Sequence, residues 1–320
     1  MKRDVFPDSA TDPFAGETPD LRVPIAPFFL IFTDLDGTLL DHNSYGWEDA
    51  LPALELCRSR GVPVILASSK TRSEIDVLRR RLALSAPFIS ENGGGVFFPA
   101  ETFEGPPAGA SLAQEPTLGL EGSQALSVSR DTHLWQWSLG VPYPRLIVAL
   151  REIREELGWN IKGFSDMSTK EISRLTGLDE DGSRLAAMRE YDEPFIIEGQ
   201  KPVDIKPLLM IARQRGLTVT SGGRFHHLQG KNDKGRAMAK VIGLYGQDHK
   251  DILSIALGDS PNDFGMLERA DFPILVRSLR SFPDLKKRIP IIKTTSEMGP
   301  KGWNSAVLHM LGESEEKADA

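Results

Sequence analysis

Two aspartates at the end of an apolar segment are the first residues in this sequence whose types and spacing could do chemistry. Asp34 and Asp36 follow the apolar residues Phe28–Phe32, and Gly37 permits a sharp turn directly after them. In an extended backbone, both carboxylates point to the same side. Carboxylates this close repel each other unless a cation or a proton lies between them. A hard dication would take such oxygen ligands, and an aspartate beside it can attack phosphorus to form an aspartyl-phosphate.

Polar residues also follow two other apolar segments. The aspartate pair alone is equally compatible with a solvated turn, because Asp and Gly are common turn residues. However, the segment Val62–Ala67 is followed by Ser68, and the segment Ile252–Leu257 is followed by a loop that contains Asp259 and Asp263. In an open parallel sheet, ligands bind in the crevice outside the carboxyl ends of the strands. We therefore expect all these side chains to converge on one crevice.

The elements that must position these residues follow the order of a parallel α/β sheet. Apolar segments with the length of strands alternate with helical patterns at Trp47–Arg60 and Thr71–Leu84, and Thr71 with Glu74 forms a capping-box signature. The same pattern returns after Asn232. Between these parts lies a mixture of helices and strands that is typical of an α+β layer. The predicted fold is therefore α/β, with a Rossmann-like parallel-sheet core domain and an inserted α+β cap domain.

The length of 320 residues exceeds that of a usual single domain. We predict a disordered N-terminal arm at 1–24, a catalytic core formed by 25–100 and 215–312, an inserted cap at 101–214, and a disordered tail at 313–320. The Gly- and Pro-rich residues 105–122 lie where the chain enters the cap. A loop of this length is uncommon inside a compact domain, so it marks the boundary.

Composition excludes several classes of function. The net charge of −7 argues against a nucleic-acid-binding protein, which normally has a basic face. The single cysteine, Cys57, has helix-spaced apolar neighbours and is predicted to be a buried structural thiol. No segment approaches the roughly 20 apolar residues of a membrane span, and the N-terminal residues resemble neither a signal nor a transit peptide. We therefore expect a cytoplasmic protein that binds no membrane; the sequence does not indicate its oligomeric state.

Each residue type at the predicted crevice suits phosphoryl transfer. Asp34 is the expected nucleophile, and Asp36 the acid that protonates the leaving oxygen and then activates water. Ser68 would donate a hydrogen bond and Lys234 a positive charge to the phosphoryl oxygens. Asp259, with Asp34 and Asp36, completes a predicted Mg²⁺ site that offsets the repulsion between carboxylate and phosphate.

These residues carry a resemblance to a known superfamily. Asp34–Thr38, Ser68, Lys234 and Gly258–Asp263 resemble the four motifs of the haloacid dehalogenase superfamily, in its Cof-like branch with a large α/β cap. Four further segments are similar to the mannosyl-3-phosphoglycerate phosphatase family: 68–72, 91–94, 189–194 and 222–228. The resemblance implies a Mg²⁺-dependent phosphatase with a mobile cap, which releases phosphate from mannosyl-3-phosphoglycerate to give mannosylglycerate, a compatible solute.

Other residues are predicted to support the metal or to contact the substrate. Asn262 and Asp263 are expected beside the metal. The candidate substrate contacts, each weighed against a solvated or turn-forming role, are Ser69, Lys70, Arg72, Asn92 and Arg189. The adjacent histidines, His226 and His227, point to opposite faces of a predicted strand. They are therefore poorly placed to share a metal, and a structural or substrate-side role for one of them is favoured.

Alternative functions keep the same phosphorylated small-molecule partner. Glucosyl-3-phosphoglycerate or another sugar phosphate could be the substrate. A phosphomannomutase would share the fold and the nucleophile but must retain the phosphoryl group. A non-catalytic regulator could bind a phosphorylated ligand, although the complete set of acidic and basic residues argues against this class.

Overall fold

The computed structural model describes residues 27–103, 105–114, 133–199, 204–222 and 225–318. The predicted N-terminal arm at 1–24 and the second part of the Gly- and Pro-rich segment lie outside these residues. Among the helices in the described ranges, none is both long enough and apolar enough to cross a bilayer.

A five-stranded parallel sheet forms the centre of the fold, in the order β13-β12-β11-β1-β2. Its strands are β1 (Phe28–Thr33), β2 (Val64–Leu66), β11 (Ile252–Gly258), β12 (Phe272–Arg277) and β13 (Lys293–Met298). Successive side chains of β1 alternate between the two faces: Ile31 belongs to one hydrophobic cluster, and Leu30 and Phe32 belong to the other. Both faces of β1 are therefore covered, which explains its continuous apolar sequence.

Helices cover both faces of this sheet. The helices are α1 (Leu51–Ser59), α2 (Arg72–Arg81), α7 (Lys234–Tyr245), α8 (Phe264–Leu267), α9 (Leu285–Arg288) and α10 (Gly299–Ala318). One face packs against α1, α2 and α10, and the other against α7, α8 and α9. Cys57 of α1 is buried as predicted, and burial raises the pKa of its thiol to about 12. The predicted α/β class with a parallel sheet is confirmed.

A second, antiparallel sheet continues from the edge of the first. Its order is β3-β4-β6-β5, and its strands are β3 (Phe88–Ser90), β4 (Gly95–Pro99), β5 (Ser111–Leu112) and β6 (Leu134–Ser138). A parallel bridge between Ala67 and Ile89 joins it to the end of β2. The loop between β3 and β4 is therefore held beside the carboxyl end of β2.

A third sheet, which we call the cap sheet, has the order β7-β8-β10-β9. Its strands are β7 (Ile161–Gly163), β8 (Asp192–Ile197), β9 (Thr218–Gly222) and β10 (Phe225–Gln229). Helices α3 (Tyr143–Leu157) and α6 (Lys206–Gln214) pack on one of its faces. Helices α4 (Thr169–Thr176) and α5 (Glu180–Ala187) pack on part of the other. This mixed layer matches the α+β cap expected from the sequence.

Sheet membership differs from the predicted division of the chain in two places. The predicted core range 215–312 includes β9 and β10, but β10 pairs with β8 and β9 pairs with β10, so both belong to the cap sheet. The predicted cap range 101–214 includes β5 and β6, but β6 pairs with β4 and β5 pairs with β6, so both belong to the second sheet. The cap sheet is complete only with β10, which lies between β8 and β9, and the chain reaches β10 shortly before Lys234.

The C-terminal elements also differ from prediction. Strand β13 occupies Lys293–Met298, whereas the sequence pattern predicts a strand at Pro290–Lys293. Helix α10 begins at Gly299 and continues through Ala318. This helix range includes residues 313–318 of the predicted tail.

Candidate active site

The carboxyl ends of three strands meet at one level, and this brings the predicted catalytic segments together. Thr33 of β1 lies in register with Leu66 of β2 and with Leu257 of β11. The next residue, Asp34, donates its backbone N–H to the Leu257 carbonyl at 2.9 Å. Because β1 is central, Asp34 lies between the loop after β2, which carries Ser68, and the loop after β11, which carries Asp259.

Lys234 is the cation at the centre of the site. Its Nζ donates to Asp34 Oδ1 at 2.5 Å and to Asp263 Oδ1 at 2.7 Å, and its side chain has no exposed surface. Lys234 is the first residue of α7, which Asp233 caps by accepting the Arg236 N–H. Burial alone would lower the pKa of Lys234, but the charges of Asp263 and Asp34 outweigh it and raise the pKa. Lys234 therefore stays charged.

Three carboxylates cluster around this ammonium group. Oxygen atoms of Asp34, Asp259 and Asp263 all lie within 4.8 Å of one another. Burial, followed by the charge of Asp263, raises the pKa of Asp34 to about 8, although Lys234 opposes the shift. The same two causes raise the pKa of Asp259 to about 6. One ammonium does not balance three carboxylates, so this cluster favours a further cation.

The loop after β11 is organised by Asp263. Its Oδ2 accepts the backbone N–H groups of Asp259 and Ser260 at 3.1 and 3.0 Å, while its Oδ1 is bound to Lys234. Both oxygens of Asp263 are therefore engaged, whereas the carboxylate of Asp259 faces Gly37. A Cβ at Gly37, whose φ is +80°, would lie 2.9 Å from Asp259 Oδ2. The absence of a side chain at Gly37 thus lets the turn after Asp36 lie close to the carboxylate of Asp259.

Asp36 lies beside the carboxylate cluster but outside it. Its Oδ2 is 3.0 Å from Lys70 Nζ, and its buried Oδ1 has no hydrogen-bond partner among the described residues. Burial opposes the charged form of Lys70, but Asp36 and Glu74 outweigh it and raise its pKa. Lys70 also lies over the ring of Tyr45, 5.2 Å from its centroid. Of the three predicted metal ligands, Asp34 and Asp259 lie in one cluster, and Asp36 lies next to it in an ion pair with Lys70.

The remaining polar residues around the crevice are connected to one another. Ser68 is buried, and its Oγ accepts the Lys70 N–H at 3.2 Å. The Oδ1 of Asn92 accepts from Asn262 Nδ2 at 3.2 Å, and Asn262 in turn accepts a short hydrogen bond from Ser260. Asn92 and Asn262 thus join the loop after β3 to the loop after β11.

The two arginines that the sequence predicts as substrate contacts, Arg72 and Arg189, bind protein groups. Arg72 forms an ion pair with Glu190 at 3.1 Å. Arg189 donates to the backbone carbonyl of Ser69 at 3.0 Å and to that of Ala186 at 2.8 Å. Both guanidinium groups therefore link the rim of the crevice to the segment that leads into β8. In this arrangement their first role is to join the core and the cap.

Glu91 is a residue whose role the sequence did not reveal. It is fully buried, and its carboxylate accepts the backbone N–H groups of Glu190, at 3.0 Å, and Tyr191, at 2.8 Å. Glu91 and Asn92 have positive φ angles of 46° and 55°. Such angles are uncommon outside glycine and cluster at functional sites. The only sequence signal is the Glu-Asn-Gly-Gly run between two short strands.

Comparisons with known proteins agree with this site. A model of the haloacid dehalogenase-like hydrolase family matches residues 31–104. A glucosyl-3-phosphoglycerate/mannosyl-3-phosphoglycerate phosphatase from Methanococcoides burtonii is 36% identical over 285 residues, which cover 89% of this chain and 98% of the relative. A phosphatase of the same name from Persephonella marina is 38% identical, with coverage of 89% and 98%. In structure, the chain is similar to a haloacid dehalogenase-like hydrolase from Bacteroides thetaiotaomicron, with a TM-score of 0.58, 16% identity and coverage of 88% and 99%.

Proposed function

The chain belongs to the mannosyl-3-phosphoglycerate phosphatase family of haloacid dehalogenase-like hydrolases, and from this premise we propose that it hydrolyses mannosyl-3-phosphoglycerate to mannosylglycerate and phosphate. The observation that carries the chemical part of the proposal is the contact of Asp34 with the buried Lys234 at the meeting point of three strand ends. A nucleophilic carboxylate beside a fixed cation is suited to attack on a phosphoryl group.

The proposed reaction has two steps. Asp34 attacks phosphorus, so that a bond forms between its carboxylate oxygen and phosphorus while the bond to the glyceryl oxygen breaks. Asp36 gives a proton to that leaving oxygen and then removes a proton from the water that hydrolyses the aspartyl-phosphate. Lys234 stabilises the negative charge on the transferred group, and the Ser68 hydroxyl donates a hydrogen bond to it. Lys70, which holds Asp36 at 3.0 Å, positions the acid.

The donor set of the site fits Mg²⁺. Asp34 and Asp259 would hold the ion, because their carboxylates cluster while both oxygens of Asp263 are already bound to protein groups. When bound, Mg²⁺ would neutralise the charge that develops on the phosphoryl oxygens. Hard oxygen ligands of this type are those that Mg²⁺ prefers. We also propose that the product is a compatible solute and that the protein is cytoplasmic.

Removal of metal is expected to lower phosphatase activity at least about 10²-fold, because the carboxylate cluster would then repel the substrate phosphate. The measurement is phosphate release after EDTA treatment and gel filtration, with residual metal quantified by elemental analysis. Added Mg²⁺ should restore activity, and Asp259→Asn should need a higher Mg²⁺ concentration for half-maximal rate. Full activity in metal-free protein would rule out the proposed ion.

Substrate choice is the direct test of the proposed activity. We expect kcat/KM for mannosyl-3-phosphoglycerate to exceed that for p-nitrophenyl phosphate at least about 10²-fold, because contacts with the glyceryl and glycosyl groups add binding energy in the transition state. Glucosyl-3-phosphoglycerate is the second candidate, since the names of the two relatives include it. The panel should also contain 3-phosphoglycerate and mannose 1-phosphate. Preference for mannose 1-phosphate, or retention of the phosphoryl group in a product sugar, would contradict the proposal.

A further inference from the structure

One face of the cap sheet carries polar side chains that the proposed chemistry does not use. On β10, Leu228 packs in the cluster formed with α3 and α6, and His226 stacks on Phe195 of the same cluster with ring centroids 5.4 Å apart. Because side chains alternate along a strand, His227 and Gln229 point to the opposite face. That face is covered by α4 and α5 only in part.

His227 is held in one orientation by a buried carboxylate. Its Nδ1 lies 2.7 Å from Oδ2 of Asp192, which has no exposed surface. In the tautomer whose Nδ1–H donates to this carboxylate, Nε2 is a hydrogen-bond acceptor. The side chain of His227 remains 15% exposed. Among the described residues, Asp192 is the hydrogen-bond partner of the His227 side chain.

This face also contains acceptors without donors. The buried Asp192 Oδ1 and the buried Gln229 Oε1 have no hydrogen-bond partner in the described part of the chain. Asp192 and Gln229 lie directly opposite each other in the register of β8 and β10. Buried polar atoms are normally hydrogen-bonded, so these two unpaired oxygens show that this face has more acceptors than donors. Of Asp192, Gln229 and His227, it is His227 that keeps exposed side-chain surface, so it is the one that a ligand hydroxyl group could reach.

Arg189 connects this face to the phosphate site. Its Nη1 lies 3.4 Å from Asp192 Oδ2 and 3.0 Å from the backbone carbonyl oxygen of Ser69, the residue after Ser68. A single guanidinium group thus spans from the carboxylate that orients His227 to the loop that we expect to bind the phosphoryl group. The polar face of the cap sheet therefore borders the crevice.

We infer that His227, oriented by Asp192, accepts a hydrogen bond from a hydroxyl group of the glycosyl part of the substrate. The inference rests on the proposed function and adds the residue that distinguishes a glycosylated phosphoglycerate from phosphoglycerate alone. His227 binds the substrate, whereas Asp192 is a positioning residue. A site that hydrogen-bonds a substrate hydroxyl discriminates against analogues without it, because its own polar groups would otherwise stay unpaired.

The test compares two variants of His227, each of which places an amide group near a different ring nitrogen of the histidine. His227→Asn keeps a donor at the position of Nδ1 but removes Nε2, whereas the longer His227→Gln places its amide near the position of Nε2. The matched control is His226→Asn, since His226 points to the opposite face. For each variant, kcat/KM is measured with mannosyl-3-phosphoglycerate, 3-phosphoglycerate and p-nitrophenyl phosphate, and the thermal midpoint is recorded.

We expect His227→Asn to lower kcat/KM for the glycosylated substrate by about 10- to 100-fold, because one hydrogen bond is lost and the substrate hydroxyl is left without its partner. For the other two substrates, kcat/KM should change by less than about threefold. His227→Gln should recover part of the loss, and His226→Asn should match the wild type. Equal losses on all three substrates, or no loss on the glycosylated one, would overturn the inference. Wild-type protein that does not hydrolyse the glycosylated substrate would instead refute the proposed function, and this inference with it.

Binding to inactive protein gives an independent readout. Binding is measured by calorimetry in an Asp34→Asn background. Adding His227→Asn should lower the affinity for mannosyl-3-phosphoglycerate by a similar factor and leave the affinity for 3-phosphoglycerate unchanged. A parallel loss for both ligands would mean that the histidine supports the cap structure only, and would overturn the assignment.

Discussion

Replacement of Asp34 by asparagine is expected to abolish turnover, with a loss in kcat of at least roughly 10⁴-fold, as for removal of other catalytic nucleophiles. The amide has nearly the same volume, and its oxygen can still accept the hydrogen bond from Lys234, so the fold should persist. It is, however, a poor nucleophile, and no aspartyl-phosphate can form. The measurement is steady-state phosphate release, together with acid-quenched single turnovers that detect phosphoenzyme in the wild type and none in the variant.

Two further variants make this result decisive. Asp284→Asn makes the same chemical change at an exposed carboxylate and should keep full activity. Asp34→Ala guards against slow conversion of the asparagine back to aspartate and should be as inactive as Asp34→Asn. Folded, metal-loaded Asp34→Ala with more than about one hundredth of wild-type activity would show that Asp34 is not the nucleophile.

Replacement of Lys234 by methionine is expected to impair both catalysis and stability. The loss of its charge should lower kcat at least about 10²–10³-fold, because the transferred phosphoryl group loses a fixed electrostatic partner. Lys234 also bridges two buried carboxylates, at 2.5 Å from Asp34 and 2.7 Å from Asp263. Removing one partner of a buried ion pair costs about 3–5 kcal/mol of unfolding free energy. Both quantities are measured, by steady-state kinetics and by denaturant unfolding.

A double variant separates the charge effect from packing. If uncompensated negative charge destabilises Lys234→Met, then adding Asp34→Asn should restore part of the lost stability without restoring activity. Lys240→Met, at an exposed position of the same helix where the ammonium lies over Trp137, is the matched control and should retain the wild-type rate. A Lys234→Met protein within tenfold of wild-type kcat would contradict the assigned role.

The centre of the site was predictable because local pattern and chemistry agreed there. The apolar strand before Asp34, and the apolar strand before Asp259, could each be recognised without knowledge of their partners, and parallel-sheet geometry then implied that they converge. The residues of β6 were not recognised as a strand, although Trp135 and Trp137 alternate as strand residues do. The long Gly- and Pro-rich segment before β6 indicates a loop, and the short strand that follows it is therefore easily overlooked.

Pairing between distant residues is the part that the sequence could not reveal. The sequence predicts that Arg72 and Arg189 contact substrate, but it gives no sign of the protein groups that these arginines also bind. In the structure they are bound to Glu190 and to the Ser69 carbonyl. The role of Glu91 depends likewise on backbone groups of residues 190 and 191, which lie beyond most of the cap sequence.

The position of β1 in the parallel sheet has a consequence for how this chain folds during synthesis. One neighbour of β1 is β2, which follows closely, but the other is β11, which begins at residue 252. At roughly 5–20 residues per second, the ribosome completes β11 on the order of ten to forty seconds after β2. During that interval one apolar edge of the central strand has no partner, which favours aggregation. Early folding of the cap would shorten the loop that must close and would speed the completion of the sheet.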